Sequence, residues 1–185
     1  MMYAPLHQSW PQFSRSIAAL MAELGLDKLN LPIDHTALRV NTVQAADSLR
    51  SEFEQRGKII SNNIINGRPI LIIELDTPLR LNDNPIDCVE LPYPGNKAYP
   101  QEGWEHVELV FNCNAEDCES LSQQLINVVP SLAAVIAGKT DITVKMSSPK
   151  GDKERLANPT IAFKKHGLCV KVHPHGIKAV IASET

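Results

Sequence analysis

Two stretches of this chain repeat one pattern. IDHTALRV at 33–40 and WEHVELVF at 104–111 are both β-rich runs with a histidine in third place. A second pair, DCVELPYP at 87–94 and LCVKVHPH at 168–175, repeats a cysteine, an alternation of apolar and polar residues, and a proline exit. A duplicated unit constrains the fold more than any single element, because equivalent residues of two equivalent strands face equivalent ways.

Between these anchors the pattern is a strand followed by a helix and a hairpin. WPQFSRSIAALMAELGLDKL, at 10–29, is apolar at steps of three and four and falters at Gly25 and Asp27, which predicts one or two leading helices. After IDHTALRV, Thr42 is placed to cap a helix over TVQAADSLRSEFEQRG, and Gly57 is expected to end it. KIISNNIIN and RPILIIELD flank Asn66-Gly67, the dipeptide of a type I′ hairpin, and PIDCVELPYPG supplies a fourth strand that stops at Pro92 and Pro94. The second half repeats the order. WEHVELVF is a strand, AEDCESLSQQLINVV a helix, and ITVKMSS, PTIAFKK and LCVKVHP three more strands. The connection SPKGDKERLANP, with Lys150, Gly151 and Asp152, is too polar for a core and reads as a loop over a cavity. LPYPGNKAYPQEG is the natural boundary between the halves.

The expected fold is therefore α+β, with two tandem βαβββ modules. Residues 1–30 form a helical extension, 31–95 the first module and 96–185 the second, together one compact unit. At 185 residues, 43% hydrophobic and 21% charged, the chain can bury a full core. A net charge of −3 without a basic run excludes the footprint of a nucleic-acid or anionic-membrane binder. No apolar run approaches the roughly 18 residues of a membrane span, and the amino terminus lacks the layout of a secretory signal. Cys88, Cys113, Cys118 and Cys169 form neither a CxxC pair nor a zinc-finger spacing, so free thiols in a cytoplasmic protein are expected.

Paired βαβββ modules, with a histidine on the first strand and an acid in a V-E-L context on the fourth, resemble the vicinal oxygen chelate superfamily of glyoxalase I and the extradiol dioxygenases. IDHTALRV, CVELPYPG and WEHVELVF look more specifically like the YecM family of bacterial proteins, over roughly residues 30 to 180. The resemblance implies a curved mixed sheet around a U-shaped cavity, with metal ligands from the first and fourth strands of both modules.

Alternation assigns the faces. Val107, Leu109 and Phe111 lie opposite His106 and Glu108; Leu38 and Val40 lie opposite His35 and Arg39; Val170 and Val172 lie opposite Lys171 and His173. Such a polar face is also what a solvated antiparallel sheet shows, and a lone histidine is also met as a core residue. Under the resemblance, His35, Glu90 and His106 converge as ligands. Two imidazoles and a carboxylate suit a divalent ion such as Fe, Mn, Ni, Co or Zn. Lys171 departs from the superfamily pattern, since it stands where Glu90 stands in the other half and an ammonium has no lone pair to offer. Either the site has three protein ligands or His173 becomes the fourth. Glu108 is a candidate general base, a ligand in place of Glu90, or the ion-pair partner of Lys171, and Lys171 is a candidate base beside a metal. Arg39 is a candidate substrate fork. His7, His166 and His175 have no assigned role.

The functional expectation is a divalent-metal-dependent enzyme of the vicinal oxygen chelate type that acts on a small oxygenated organic substrate. Isomerase, lyase and dioxygenase chemistry all belong to such a site. The alternative is a non-catalytic protein of the same fold that sequesters a small molecule, which the lysine at position 171 favours.

Overall fold

A computed structural model describes residues 2–149 and 155–184; Lys150, Gly151 and Asp152 of the polar connection lie outside the described residues. The leading helix α1 runs Tyr3–Leu24, seven residues longer at its start than the periodicity implies, with Pro11 inside it. It ends where Gly25 takes a left-handed φ of 75° that returns its N–H to Ala22, and a single 3₁₀ turn, Asp27–Leu29, follows. The first unit is β1 (Ile33–Arg39), α2 (Val43–Glu54), β2 (Gly57–Ile65), β3 (Arg68–Leu81) and β4 (Asn84–Pro92). The second is β5 (Gly103–Val110), α3 (Cys118–Val128), α4 (Leu132–Ile136), β6 (Thr143–Ser147), β7 (Thr160–Lys165) and β8 (Leu168–His173), and a final helix α5 (Ile177–Ala182) closes the chain. Neither α4 nor α5 is foreseen by the sequence reading; each is a single short turn or two, too brief for periodicity to register.

Local chemistry accounts for most boundaries. The Thr42 hydroxyl accepts from the Ala45 N–H and caps α2, and Asp117 accepts from the Ser120 N–H and caps α3. Asn66 and Gly67 both have positive φ, 52° and 76°, as a type I′ hairpin between β2 and β3 requires. Gly57 does not end α2. That helix stops at Glu54 with Gln55 in a right-handed cap, and Gly57 instead opens β2, where a Cβ would sit 2.2 Å from the Glu74 carbonyl oxygen of β3. It is a glycine because two backbones meet there.

All eight strands join in one sheet of order β2-β3-β4-β1-β5-β8-β7-β6. Each half lies on one side of the central pair β1 and β5, which run antiparallel, while β1–β4 and β5–β8 are parallel. The outer face is covered by helices. Leu38, Val40, Leu49, Phe53, Leu71 and Val89 pack under α2, and Val107, Leu109, Leu121, Leu125, Phe163 and Val170 pack under α3. Helix α1 joins the two clusters, with Leu6 in the first and Trp10, Ile17, Leu20 and Leu24 in the second. Its indole–indole contact is edge-on, Trp10 to Trp104 at 4.9 Å, and the Trp104 N–H donates to the Leu6 carbonyl at 2.9 Å.

Replacing Gly57 with alanine forces two strand backbones apart and is expected to destabilise the protein by about 2–3 kcal/mol. The same change at Gly95, where the nearest atom is Arg68 Cδ at 3.9 Å, is expected to stay within about 0.5 kcal/mol. Urea unfolding of both variants checks this, and equal midpoints would refute the close-approach reading.

Candidate metal centre

The site forms on the concave face where β1 meets β5. Their register sets Ala37 opposite His106 and His35 opposite Glu108. In the flanking parallel pairs Ala37 neighbours Glu90 of β4, and Glu108 neighbours Lys171 of β8. Lys171 therefore stands in the mirror position of Glu90, and Glu108 in that of Ala37. Each half supplies one histidine from its first strand, but the acids are distributed differently.

The side chains converge. Nε2 of His35 lies 3.5 Å from Glu90 Oε2 and 3.6 Å from Glu108 Oε1, and Nε2 of His106 lies 3.1 Å from the same Glu108 oxygen. His35, His106 and Glu108 are all buried, and their ligand atoms lie within 4.8 Å of one another. The imidazoles are fixed from behind: Nδ1 of His35 meets Asp34 Oδ2 at 2.9 Å, and Nδ1 of His106 meets Glu105 Oε2. Strict alternation would send Asp34 and Glu105 to the far face. A β-bulge turns each of them back, because Ile33 and His35 pair with consecutive residues Leu109 and Glu108, and Ala37 and Leu38 pair with His106 and Trp104, so Asp34 and Glu105 are each the extra residue. Sequence reasoning missed these acids. The available signal was the D-H and E-H pairs at matching places in the repeat.

The remaining polar groups complete the arrangement. Lys171 Nζ stands 3.3 Å from Glu108 Oε1, the ion pair weighed as one reading of the sequence. His173 is buried with Nε2 3.2 Å from Asp34 Oδ2 and Nδ1 3.2 Å from Glu108 Oε2. The Asn158 amide oxygen accepts from the His175 backbone N–H at 3.3 Å, which turns its Nδ2 to donate to Nδ1 of His173 at 3.0 Å. That nitrogen is thus occupied. Arg39 reaches Glu105 Oε1 at 2.7 Å and lies over the Tyr99 ring, so it braces the acid behind His106. His7 and His166 are exposed and His175 is half-buried in the turn after β8, all outside the cluster.

Burial and charge shape the protonation of the metal-free centre. Burial opposes a charged His35, but Glu108, Asp34 and Glu90 outweigh it and hold its pKa well above 6.5. Burial, followed by the nearby Lys171 ammonium, pushes His106 down to about 4. Glu108 is held well below the ordinary carboxyl range because His35 and Lys171 outweigh the burial that would raise it. Asp34 falls to about 2, its burial offset by His173 and His35. Lys171 is raised, burial being overcome by Glu108 and Glu90, and so stays an ammonium.

This donor set fits a metal ion. Bonds of about 2.1 Å place neighbouring ligand atoms about 3.0–3.4 Å apart in octahedral or tetrahedral shells, close to the observed separations. Nε2 of His35 is buried and makes no hydrogen bond, which is costly for an imidazole unless something else takes up its lone pair or proton. Glu90, foreseen as a ligand, stands at the edge of the set, while Glu108 lies at its middle. A second group, Glu74, Asp87 and Cys88, lacks this character: Lys178 bridges the two acids, and burial pushes the Cys88 thiol up to about 12. The centre opens into a cavity of about 430 Å³ whose wall includes Ile65, Ile70, Pro92, Ile177 and Val180.

Residues 3–184 match the family model described as YecM protein. The chain is 40% identical to "Protein YecM" of Escherichia coli strain K12 over 174 residues, 94% of this chain and 89% of the relative. It is also 40% identical to an uncharacterised protein of Haemophilus influenzae over 171 residues, 90% of this chain and 86% of that one. The solved structure titled "Structural Genomics, Protein EC4020" superposes with a TM-score of 0.82 at 34% identity, covering 98% of this chain and 92% of its own.

The protonation pattern predicts a stability maximum near pH 6.5 for protein kept in chelator. His35 holds its proton more tightly folded than unfolded, so its contribution is full below 6.5 and is lost as pH rises through its folded pKa. His106 holds its proton less tightly, so stability falls as pH drops from 6.5 toward about 4. Asp34 and Glu108, both depressed, steepen that acid limb. Thermal midpoints from pH 4 to 9 test this, and His35→Gln should flatten the alkaline limb and, by relieving Glu108 and Asp34, make the acid limb shallower; a parent midpoint flat above pH 6.5 would refute it.

Proposed function

The chain belongs to the YecM family, and from the centre described above we propose that it is a divalent-metal-dependent enzyme acting on a small oxygenated organic substrate. The observation that carries this reading is the buried, unpartnered Nε2 of His35 facing Glu90, Glu108 and His106, with both imidazoles held through Nδ1. His35, His106 and Glu108 would hold the ion, with Glu90 beside them. A bound divalent ion supplies Lewis acidity and a template for two adjacent substrate oxygens. The duplicated βαβββ order and the inward-facing histidines accord with the vicinal oxygen chelate plan.

The protein's own groups prepare the site. Asp34 and Glu105 hold the Nδ1 protons, so Nε2 of neutral His106 presents its lone pair inward, and Nε2 of His35 would do so once a bound cation displaced its proton. Lys171 balances the charge of Glu108 and orients that carboxylate without ligating. The apolar wall of Ile65, Ile70 and Pro92 excludes water from one side of the cavity. The four thiols are free, which accords with a reducing compartment, and we assign the enzyme to the cytoplasm; among the described residues no helix is long and apolar enough to cross a membrane. A second reading, a binding protein without catalysis, draws on Lys171, whose ammonium already offsets Glu108 at 3.3 Å.

Elemental analysis of protein purified without a histidine tag is expected to give about one divalent ion per chain. His35→Ala and His106→Ala should each lose that ion with unchanged far-UV circular dichroism. Asp34→Asn, which leaves every ligand in place, should weaken affinity about 10–100-fold. Stoichiometric metal in both histidine variants would overturn the assignment, and a parent that takes up no metal would favour the second reading.

A further inference from the structure

The lining of the cavity carries more cations than carboxylates. Among the described residues six cationic side chains line the cavity, namely Arg39, Arg68, Lys97, Lys145, Lys164 and Lys171, against the three carboxylates of Glu90, Glu105 and Glu108. Arg39 and Lys171 are matched to Glu105 and Glu108. Among the described residues Arg68, Lys145 and Lys164 have no carboxylate partner. In a chain of net charge −3, such a concentration is not a by-product of composition.

The register shows where these charges stand. One row of inward residues runs Glu108, Lys171, Ala162, Lys145 across β5, β8, β7 and β6, and the next runs His106, Cys169, Lys164. With strands about 4.8 Å apart, the Lys164 backbone lies two strands, about 10 Å, from that of His106, and the Lys145 backbone three strands from that of Glu108. A lysine stem closes much of that gap. Alanine at 162 and cysteine at 169 are the small members of these rows, so neither blocks the space between the lysines, which line the same cavity, and the centre. Burial first, and then the charges of Lys145, Arg39 and Lys171, hold the Lys164 ammonium below its usual range, the behaviour of a cation crowded by its own kind. Crowded, unmatched ammoniums beside a cavity are stabilised when an anion enters.

We propose that the cavity receives a small organic anion, its charged group held by Lys164 and Lys145 while its oxygenated end points at His35, His106 and Glu108. The oxygenated end rests on the metal reading above; the anion contact does not. Carboxylate and phosphate oxygens share the required chemistry, and Ile65, Ile70 and Pro92, on the opposite half of the same cavity, offer an apolar wall to the carbon skeleton. The ligand is thus a molecule with its charge several bonds from its paired oxygens.

Calorimetric titration of the full-length protein with inorganic phosphate and with malonate, at low ionic strength, tests this in chelator and again with manganese loaded. At least one anion should bind in both states, more weakly as salt rises. Lys164→Gln and Lys145→Gln should each weaken binding roughly tenfold, and the double variant should abolish it at millimolar concentration, with metal uptake and thermal midpoint as in the parent. Tighter phosphate binding identifies a phosphate ester, tighter malonate binding a carboxylate. No binding of either anion, binding that needs manganese, or a double variant that binds as the parent does overturns the proposal. A chain that binds the anion but takes up no metal leaves this contact standing and removes the metal reading instead.

Discussion

The antiparallel seam between β1 and β5 is the contact on which the rest of the molecule depends. Each half alone would end in an open edge at its first strand, and pairing the two edges satisfies both ladders and creates a continuous sheet. The same register decides the chemistry. Ala37 opposite His106 leaves space above the seam that a larger residue would fill, and His35 opposite Glu108 brings a ligand of each half into the other's reach. A bulge in each strand then delivers the adjacent acid to the back of each imidazole. One pairing thus sets five functional side chains, and the helices on the outer face, α1 above all, hold the two halves in that register.

Charge explains why such a centre tolerates burial. Asp34, Glu90, Glu105 and Glu108 are opposed by Lys171 and Arg39, so two negative charges remain when the imidazoles are neutral. Burying them unmatched is costly, and His35 responds by keeping its proton in the metal-free protein. A divalent ion would balance the same two charges and release His35 to act through its lone pair. Lys171, which departs from the symmetry of the repeat, would therefore set the charge of any ion bound there. A second acid at 171 would leave a surplus.

Much of this was legible in the sequence because the repeat carries it. The eight strands, α2 and α3, the Asn66-Gly67 hairpin and the inward faces of His35, His106, Glu108 and Lys171 all follow from period and punctuation. What escaped did so for identifiable reasons. Period-two reasoning has no place for a bulge, so it gives no reason to look for Asp34 and Glu105 on the inner face. Gly57 satisfies the usual rule for a helix stop, yet its role is a close backbone approach that only tertiary structure reveals. The helix α5 is short, and its docking depends on partners remote in sequence: the Asp34 carboxylate for the Ile177 N–H, and Ser61 and Asn63 for Glu184.

Those contacts of α5 explain how a symmetric scaffold gives an asymmetric cavity. In the first half the concave face carries Ile70 and Ile72 with Ser61 and Asn63, and α5 and the residues after it lay Val180 and Glu184 against that side. In the second half the equivalent face carries Lys145, Lys164 and Lys171. Duplication supplies the two histidines and their supporting acids, since both copies need them. Divergence of the outer strands makes one wall largely apolar, with Arg68 at its rim, and the other rich in lysine. Asp34 ties these levels together, because one carboxylate orients His35, accepts the first N–H of α5 and faces His173. Any displacement of α5 is therefore transmitted through that carboxylate to the imidazole of His35.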